Sequence, residues 1–201
     1  MEIKFLNTIS IIDDFISDKE LIDWLKDESK IDSTVKGQDT HNLTYAQNEF
    51  GKIANATLVN YCNSNNIDYN NLSMSNFQKG RLKKYDKSMV TNHLYEPHHD
   101  QVEGAYISAI YYIDSDYTPD KWVGGELSIY KNLTFAEYPN NVVNINPVPN
   151  RLIMFPGFLV HRVKPYFGEN PRTSLVLGWE VKDQPQTCLL YTSDAADDDH
   201  C

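Results

Sequence analysis

The chain has 201 residues, of which 41% are hydrophobic and 23% charged, as in an ordinary globular domain. Its formal net charge of −10 argues against a nucleic-acid partner, because binding phosphates needs a basic surface. No apolar run approaches the roughly 20 residues that cross a bilayer. The N-terminus lacks a basic region followed by an apolar stretch. We therefore predict no membrane partner and no signal peptide.

Residues 188–201 read CLLYTSDAADDDHC and show no pattern of helix or strand. They resemble the translation of a transposon-type sequencing adapter; a genuine acidic tail is the alternative. We expect a single domain over 1–187 and a non-native, disordered tail over 188–201. Without the tail, Cys62 is the sole cysteine and no internal disulfide can form, which fits a reducing, cytoplasmic location.

The first part of the chain predicts two helices. The segment SDKELIDWLKDE begins at Ser17 and has Glu20 three residues later, which is a capping-box pattern. Its apolar residues at helical spacing are Leu21, Ile22, Trp24 and Leu25. The segment AQNEFGKIANATLVNYCNSN predicts a second helix that stops in the Asn-rich stretch NSNNIDYNN, a predicted loop. The apolar side of this helix consists of Phe50, Ile53, Ala54, Leu58 and Tyr61.

After Ser75 the pattern changes to short runs rich in β-branched and aromatic residues, separated by Gly, Pro, Asn and Asp. These runs are NFQKGRLKKYD, GAYISAIYYID, GGELSIYK, NVVNINP, NRLIMFPG, LVHRVKP and RTSLVLGWEV. Many short strands at this spacing predict a β-sandwich or β-barrel. The fold class is therefore mainly β, with the helices at the N-terminal end.

The stretch LYEPHHDQ places His98 and Asp100 two residues apart. In a strand, residues i and i+2 project to the same side, so both could reach one ion while His99 points away. A third candidate ligand, His161, lies in the apolar run FPGFLVHRVKP. Two histidines and one carboxylate are the set that holds non-haem Fe(II), although zinc accepts the same ligands.

Arg172 lies eleven positions after His161, at the start of the next predicted strand. We expect a hairpin to bring it beside His161, with Ser174 facing the same side. An arginine fork binds a carboxylate bidentately, and a serine hydroxyl adds a hydrogen bond. A metal flanked by these two side chains suggests a dicarboxylate co-substrate.

The segments YEPHHD, GGEL and NRLIMFPGFLVHRVKPYFGENPRTSLVLGW resemble motifs of the Fe(II)- and 2-oxoglutarate-dependent dioxygenases, particularly the prolyl 4-hydroxylase-like group. The resemblance extends over most of residues 11–179 and implies a double-stranded β-helix, or jelly roll. It implies that His98, Asp100 and His161 are catalytic iron ligands. It also implies that Arg172, with Ser174 and Tyr85, binds 2-oxoglutarate.

The implied reaction consumes O2 and 2-oxoglutarate, releases succinate and CO2, and hydroxylates an unactivated C–H bond, with ascorbate as a candidate accessory reductant. The implied substrate is a peptide, protein or small molecule. Collagen-type prolyl hydroxylases commonly carry Lys at the Arg172 position, which leaves proline as one of several open targets. The alternatives are a non-catalytic jelly-roll module that binds peptide or sugar, and a zinc or manganese hydrolase or isomerase.

Four aromatic residues are candidates for lining the pocket, although core packing is the favoured explanation for each one individually: Tyr111, Tyr112, Trp122 and Trp179. Substrate choice is expected to lie in loops, here residues 31–45 and 114–123. His93 and His99 are expected at the surface or beside the ligands rather than among them.

Overall fold

The computed structural model describes residues 9–31, 45–74, 81–87, 96–100, 106–130 and 142–182. It contains two α-helices, α1 (Lys19–Ile31) and α2 (Tyr45–Asn65), and a short 3-10 helix at Tyr69–Asn71. The nine strands are β1 (Ser10–Ile12), β2 (Leu72–Met74), β3 (Arg81–Tyr85), β4 (Ile107–Asp114), β5 (Leu127–Tyr130), β6 (Val142–Ile145), β7 (Arg151–Pro156), β8 (His161–Val163) and β9 (Arg172–Val181). His93 and the 188–201 tail lie outside the described residues.

The strands form two antiparallel sheets. The major sheet has the order β1-β7-β4-β9-β2, and β3 also pairs with β9. The minor sheet has the order β6-β5-β8. Apolar residues of both sheets, among them Ile110, Ile129 and Phe155, pack in one cluster, so the sheets face each other. This arrangement confirms the predicted mainly-β class.

The helices cover the other face of the major sheet. Leu25, Phe50 and Ala54 pack there against strand residues such as Leu175 and Leu177. Side chains alternate along a strand, so β9 sends Leu175, Leu177 and Trp179 to the helices and Val176 to the minor sheet. The major sheet therefore has a helix-covered face and an inner face. Neither described helix is long and apolar enough to cross a membrane.

The start of α1 differs from the predicted capping box. Asp18, not Ser17, caps the helix, since its carboxylate accepts the backbone N–H groups of Glu20 at 2.9 Å and Leu21 at 3.2 Å. The helix accordingly begins at Lys19. Leu21 and Leu25 are buried as predicted, whereas Trp24 is 41% exposed because it lies off the stripe that packs on α2 and the sheet.

Each of the seven predicted β runs contains one strand, and the second helix has nearly the predicted bounds. The sequence missed β1 and β2, which are three residues each and lie at the edges of the major sheet. Three residues are too few to display a period of two. Their extended conformation comes from pairing with β7 and β9.

Candidate active site

His98, Asp100 and His161 come together at one end of the two sheets. One ligand atom from each lies within 4.8 Å of the others. The backbones of His98 and His161 form an isolated antiparallel bridge, with N···O distances of 2.9 and 2.8 Å. This bridge, rather than a regular strand through His98, joins the two segments of the His-Asp-His cluster.

Both histidines of the cluster are oriented by a backbone carbonyl two residues earlier. His98 Nδ1 lies 3.0 Å from the Glu96 oxygen, and His161 Nδ1 lies 2.9 Å from the Leu159 oxygen. A carbonyl only accepts hydrogen bonds, so Nδ1 carries a proton, and in the neutral ring Nε2 is then the nitrogen with the lone pair. Both Nε2 atoms face Asp100, at 3.8 Å from His98 and 3.7 Å from His161. In this tautomer Nε2 is the nitrogen that can bind a metal, and the Nδ1 hydrogen bond fixes the ring.

Asp100 is buried, and two contacts fix its position. The Ser108 hydroxyl donates a 2.6 Å hydrogen bond to its carboxylate, and its backbone N–H bonds to the Gly157 carbonyl at 2.9 Å. Burial raises the pKa of the Asp100 carboxyl, but His161, the Ser108 hydrogen bond and His98 together hold that pKa below its ordinary value. Asp100 is therefore an anion at neutral pH.

His161 lies in the interior against Phe155, with ring centroids 4.9 Å apart. Burial lowers the pKa of His161 from 6.5 to about 4, although the Asp100 carboxylate opposes this change. The imidazole is neutral at pH 7 and its Nε2 can donate an electron pair. Two imidazoles and one carboxylate on a single side fit a divalent transition metal such as Fe(II) or Zn²⁺.

Arg172 is fully buried on the inner face of the major sheet, where other contacts take up only part of its guanidinium. Its Nη1 donates to the Gly125 carbonyl at 2.9 Å. The guanidinium carbon lies 4.2 Å from the centre of the Tyr85 ring and 5.2 Å from that of Tyr112. Its Nε has no hydrogen-bond partner among the described residues.

Two further buried hydroxyls beside Arg172, those of Tyr112 and Ser174, also lack a described partner. Tyr112 and Ser174 are opposite each other across β4 and β9, and Arg172 is opposite Tyr85 across β3 and β9. Buried polar groups are rarely left without partners, so an acceptor fits between them. A carboxylate is the matching acceptor, because the unpartnered groups of Arg172, Tyr112 and Ser174 can all donate. We call Tyr85, Tyr112, Arg172 and Ser174 the anchor group.

On the inner face, apolar residues lie between the His-Asp-His cluster and the anchor group. Along β4, inward positions follow in the order Ser108, which contacts Asp100, then Ile110, then Tyr112. Along β9, Val176 lies between the Ser108–Gly178 pair and Arg172. A ligand with a metal-binding end, a short aliphatic middle and a carboxylate would match this order.

The structure brings the predicted site residues together differently from the expected hairpin. β8, which carries His161, pairs with β5 in the minor sheet, whereas β9 belongs to the major sheet. The prediction of a β8–β9 hairpin is therefore wrong. Arg172 reaches the site by projecting from the major sheet to the Gly125 carbonyl beside β5. His99 is outside the His-Asp-His cluster, and its Nδ1 is buried without a described partner.

Of the four aromatic candidates, only Tyr112 lies on the inner face. Tyr111 and Trp179 pack against the helices on the opposite face. Trp122 is 68% exposed, stacks on Phe167 and donates a 2.6 Å hydrogen bond to Glu126. The alternation of side chains along β9 already predicts that Trp179 faces away from Arg172, since the two are an odd number of residues apart.

The 114–123 loop lies at the Arg172 end of the sheets, away from the His-Asp-His cluster. It connects β4 to the Gly125 turn and is bonded to residues 166–170, for example by Asp116 to Asn170 and Val123 to Phe167. His98, in contrast, is exposed at the cluster end. The geometry therefore does not support 114–123 as a substrate loop, and 32–44 of the other predicted loop lie outside the described residues.

Sequence reasoning missed three residues that shape the site. Ser108 orients Asp100, the Gly125 carbonyl holds Arg172, and Tyr166 packs against Gly125. The GGEL turn was a visible signal for Gly125. Nothing in the sequence separates Ser108 or Tyr166 from other buried strand and loop residues, because their roles come from contacts between distant segments.

Comparison with known protein families gives one match. Residues 80–179 match the 2OG-Fe(II) oxygenase superfamily, a range that contains every member of the His-Asp-His cluster and of the anchor group. Among curated proteins, no sequence matches the chain.

Solved structures share the fold at low sequence identity. A Pseudomonas putida prolyl-4-hydroxylase is 16% identical, with 87% of this chain and 88% of that one covered and a TM-score of 0.61. A Trichoplax adhaerens prolyl hydroxylase, in complex with a hypoxia inducible factor oxygen degradation domain peptide, is 18% identical, with 87% and 84% covered and a TM-score of 0.58. A 2OG-Fe(II) oxygenase family oxidoreductase from Burkholderia pseudomallei is 12% identical, with 86% and 84% covered and a TM-score of 0.59. The fold is thus the jelly roll of these oxygenases, with the two N-terminal helices packed on it.

Proposed function

Because the chain belongs to the 2OG-Fe(II) oxygenase superfamily, we propose that it hydroxylates an unactivated C–H bond with Fe(II) and 2-oxoglutarate. The observation that carries the proposal is the pairing of the His-Asp-His cluster with the anchor group on one inner face. A metal site alone would fit a zinc hydrolase as well. A second site of unpartnered donors fits a ligand that carries a carboxylate away from the metal.

In this proposal His98, Asp100 and His161 hold the iron, which supplies the oxidising power when O2 and the co-substrate are bound. The chain's own residues perform the binding and the orientation. Arg172 binds the distal carboxylate of 2-oxoglutarate through its free Nε edge, and Tyr112 and Ser174 add hydrogen bonds. Tyr85 stacks on the guanidinium, and this contact holds the guanidinium plane in one orientation. Succinate and CO2 are the expected co-products.

Peptidyl proline is the substrate class that we propose first. The support is the YEPHHD segment, which is similar to the prolyl 4-hydroxylase motif, and the likeness of fold to prolyl hydroxylases, one of which was solved with a peptide bound. Exposure of His98 leaves the cluster end open to a large substrate. A small metabolite is the other outcome that the same assay detects.

The experiment is co-substrate turnover with Fe(II), 2-oxoglutarate and ascorbate, measured as succinate release, against paired peptides that differ only by proline or alanine. Gain of one oxygen atom in the proline peptide alone, detected by mass spectrometry, supports the proposal. Arg172→Met is expected to raise the KM for 2-oxoglutarate about 30- to 100-fold, since it removes charge-assisted hydrogen bonds. Arg162→Met is the matched control, because Arg162 lies between the inward-facing His161 and Val163 on β8 and therefore points away from the inner face.

Two results would count against the proposal. Binding of 2-oxoglutarate that is equal in wild type and Arg172→Met would remove the anchor group from the co-substrate site. Metal binding without any succinate release, with peptides and with a metabolite extract, would favour the non-catalytic binding module.

A further inference from the structure

Among the described residues, one backbone carbonyl supplies the hydrogen bond of the anchor arginine, and the Tyr85 and Tyr112 rings contact its guanidinium. Gly125 O is the only described hydrogen-bond acceptor of the Arg172 guanidinium, and it takes Nη1. Because the carbonyl takes Nη1, Nε points in another direction, and it has no described hydrogen-bond partner. The direction in which Arg172 presents its remaining donors therefore depends on where the Gly125 carbonyl points, together with the ring contact to Tyr85.

The Gly125 peptide has a conformation that only glycine adopts easily. Gly124 and Gly125 have φ angles of 70° and 75°, in the left-handed region. A Cβ on Gly125 would lie 2.7 Å from Tyr166 Cδ2 and 3.5 Å from Arg172 Cδ. The space that a Gly125 side chain would need is thus filled by the tyrosine ring, with the arginine stem beside it.

Tyr166 is held firmly on its own side. It is fully buried, and its ring also packs against Gly168. Its hydroxyl accepts the Asp116 N–H at 2.8 Å, and its backbone bridges to Gly124. Hydrogen bonds from Gly125 N to Pro165 O and from Phe167 N to Val123 O flank it. The ring is thus held firmly between the loop of residues 114–125 and the loop of residues 165–168.

We propose that Tyr166 is a positioning residue for the co-substrate: its ring holds the Gly125 carbonyl in place, and that carbonyl aims Arg172 at the distal carboxylate. This inference rests on the proposed function, because it presupposes that Arg172 binds a carboxylate. The described contacts of Tyr166 are to Asp116, Gly124, Gly125 and Gly168, and none is to the His-Asp-His cluster. Its loss should therefore affect only ligands that reach Arg172.

The test uses two 2-oxo acids on protein loaded with Mn²⁺ as a redox-stable metal. 2-Oxoglutarate carries a distal carboxylate, whereas 2-oxobutyrate has the same metal-binding end and lacks that carboxylate. Tyr166→Leu is expected to weaken 2-oxoglutarate binding about 10-fold in calorimetry, the usual scale for loss of an orienting partner, and to leave 2-oxobutyrate and Mn²⁺ affinities within about twofold. Tyr166→Phe keeps the ring and should bind both acids like wild type.

Tyr111→Leu is the matched control. Tyr111 is equally buried and also uses its hydroxyl, but it faces the helices. It should lower the melting temperature without changing the ratio of the two affinities. If Tyr166→Leu does not fold, Tyr166→Met replaces the rigid ring with a flexible side chain of similar length and carries the same expectation.

Three outcomes would overturn the inference: an unchanged ratio in a folded Tyr166→Leu or Tyr166→Met protein, an equal loss for both acids, or the same loss in Tyr166→Phe. Failure of the proposed function looks different. In that case wild type itself would not prefer 2-oxoglutarate over 2-oxobutyrate, whatever stands at position 166.

Discussion

The two faces of the major sheet share the same strands but differ in chemistry. On β9, Leu175 and Leu177 face the helices in a cluster of apolar side chains, while the neighbouring Arg172 and Ser174 face the minor sheet with unpartnered donors. One face is complete by itself, and the other has groups that a ligand would satisfy. Substitutions on the helix-covered face should therefore affect stability, and those on the inner face should affect binding.

The largest expected effect is that of a substitution in the His-Asp-His cluster, at one end of the inner face. His98→Ala should abolish metal binding and turnover, because it removes one of three ligands, whereas His99→Ala should largely spare both. Metal content by atomic absorption, together with succinate release, measures the difference. If His99→Ala were the inactive variant, the ligand assignment at Glu96–Asp100 would be wrong.

The helix-covered face should show the opposite behaviour. Leu175→Ala leaves a cavity under the helices and should lower the free energy of unfolding by about 2 to 5 kcal/mol without changing 2-oxoglutarate affinity. Val176→Ala, one residue along, is the comparison, since its side chain points to the apolar middle of the inner face. It should cost less stability and change co-substrate affinity. Urea unfolding and calorimetry on both variants test this. A weaker 2-oxoglutarate affinity in Leu175→Ala would contradict the distinction between the two faces.

Acid should destabilise the metal-free protein through His161. Its pKa is about 4 in the folded state, below its ordinary 6.5, so the unfolded chain takes up a proton that the folded protein does not. Stability is then complete above pH 6.5 and declines as the pH falls toward 4, by on the order of 2–3 kcal/mol. His161→Asn should flatten this slope in urea unfolding with chelator present. Parallel slopes for the two proteins would show that His161 is not the titrating group.

The smallest effect concerns a contact to Asp100 rather than a ligand. Ser108→Ala removes the hydroxyl that orients the carboxylate and should weaken metal affinity about 10-fold. Ser128→Ala is a suitable control, because the Ser128 hydroxyl bonds to Asn144 in the minor sheet. Competition with a chromogenic chelator gives both affinities, and equal values in the two variants would deny Ser108 its orienting role.

The sequence predicted those parts of the molecule that depend on local pattern. The runs around β4, β7 and β9 are apolar and long enough to be recognised as strands. The His98–Asp100 spacing and the distant His161 define a specific set of candidate ligands. The β8–β9 hairpin was wrong because closeness along the chain does not fix which sheet a strand joins. The roles of Ser108 and Tyr166 were invisible because each arises from partners that only the folded sheets bring near.

Each histidine of the cluster binds its own backbone two residues earlier, at Glu96 and at Leu159. The orientation of each ring is thus supported by a hydrogen bond within a three-residue unit. Two such preset units, joined by the backbone bridge between His98 and His161, lose little rotational freedom when an ion binds. Substitutions in other parts of the chain that leave these two hydrogen bonds intact should accordingly preserve the orientation of both rings.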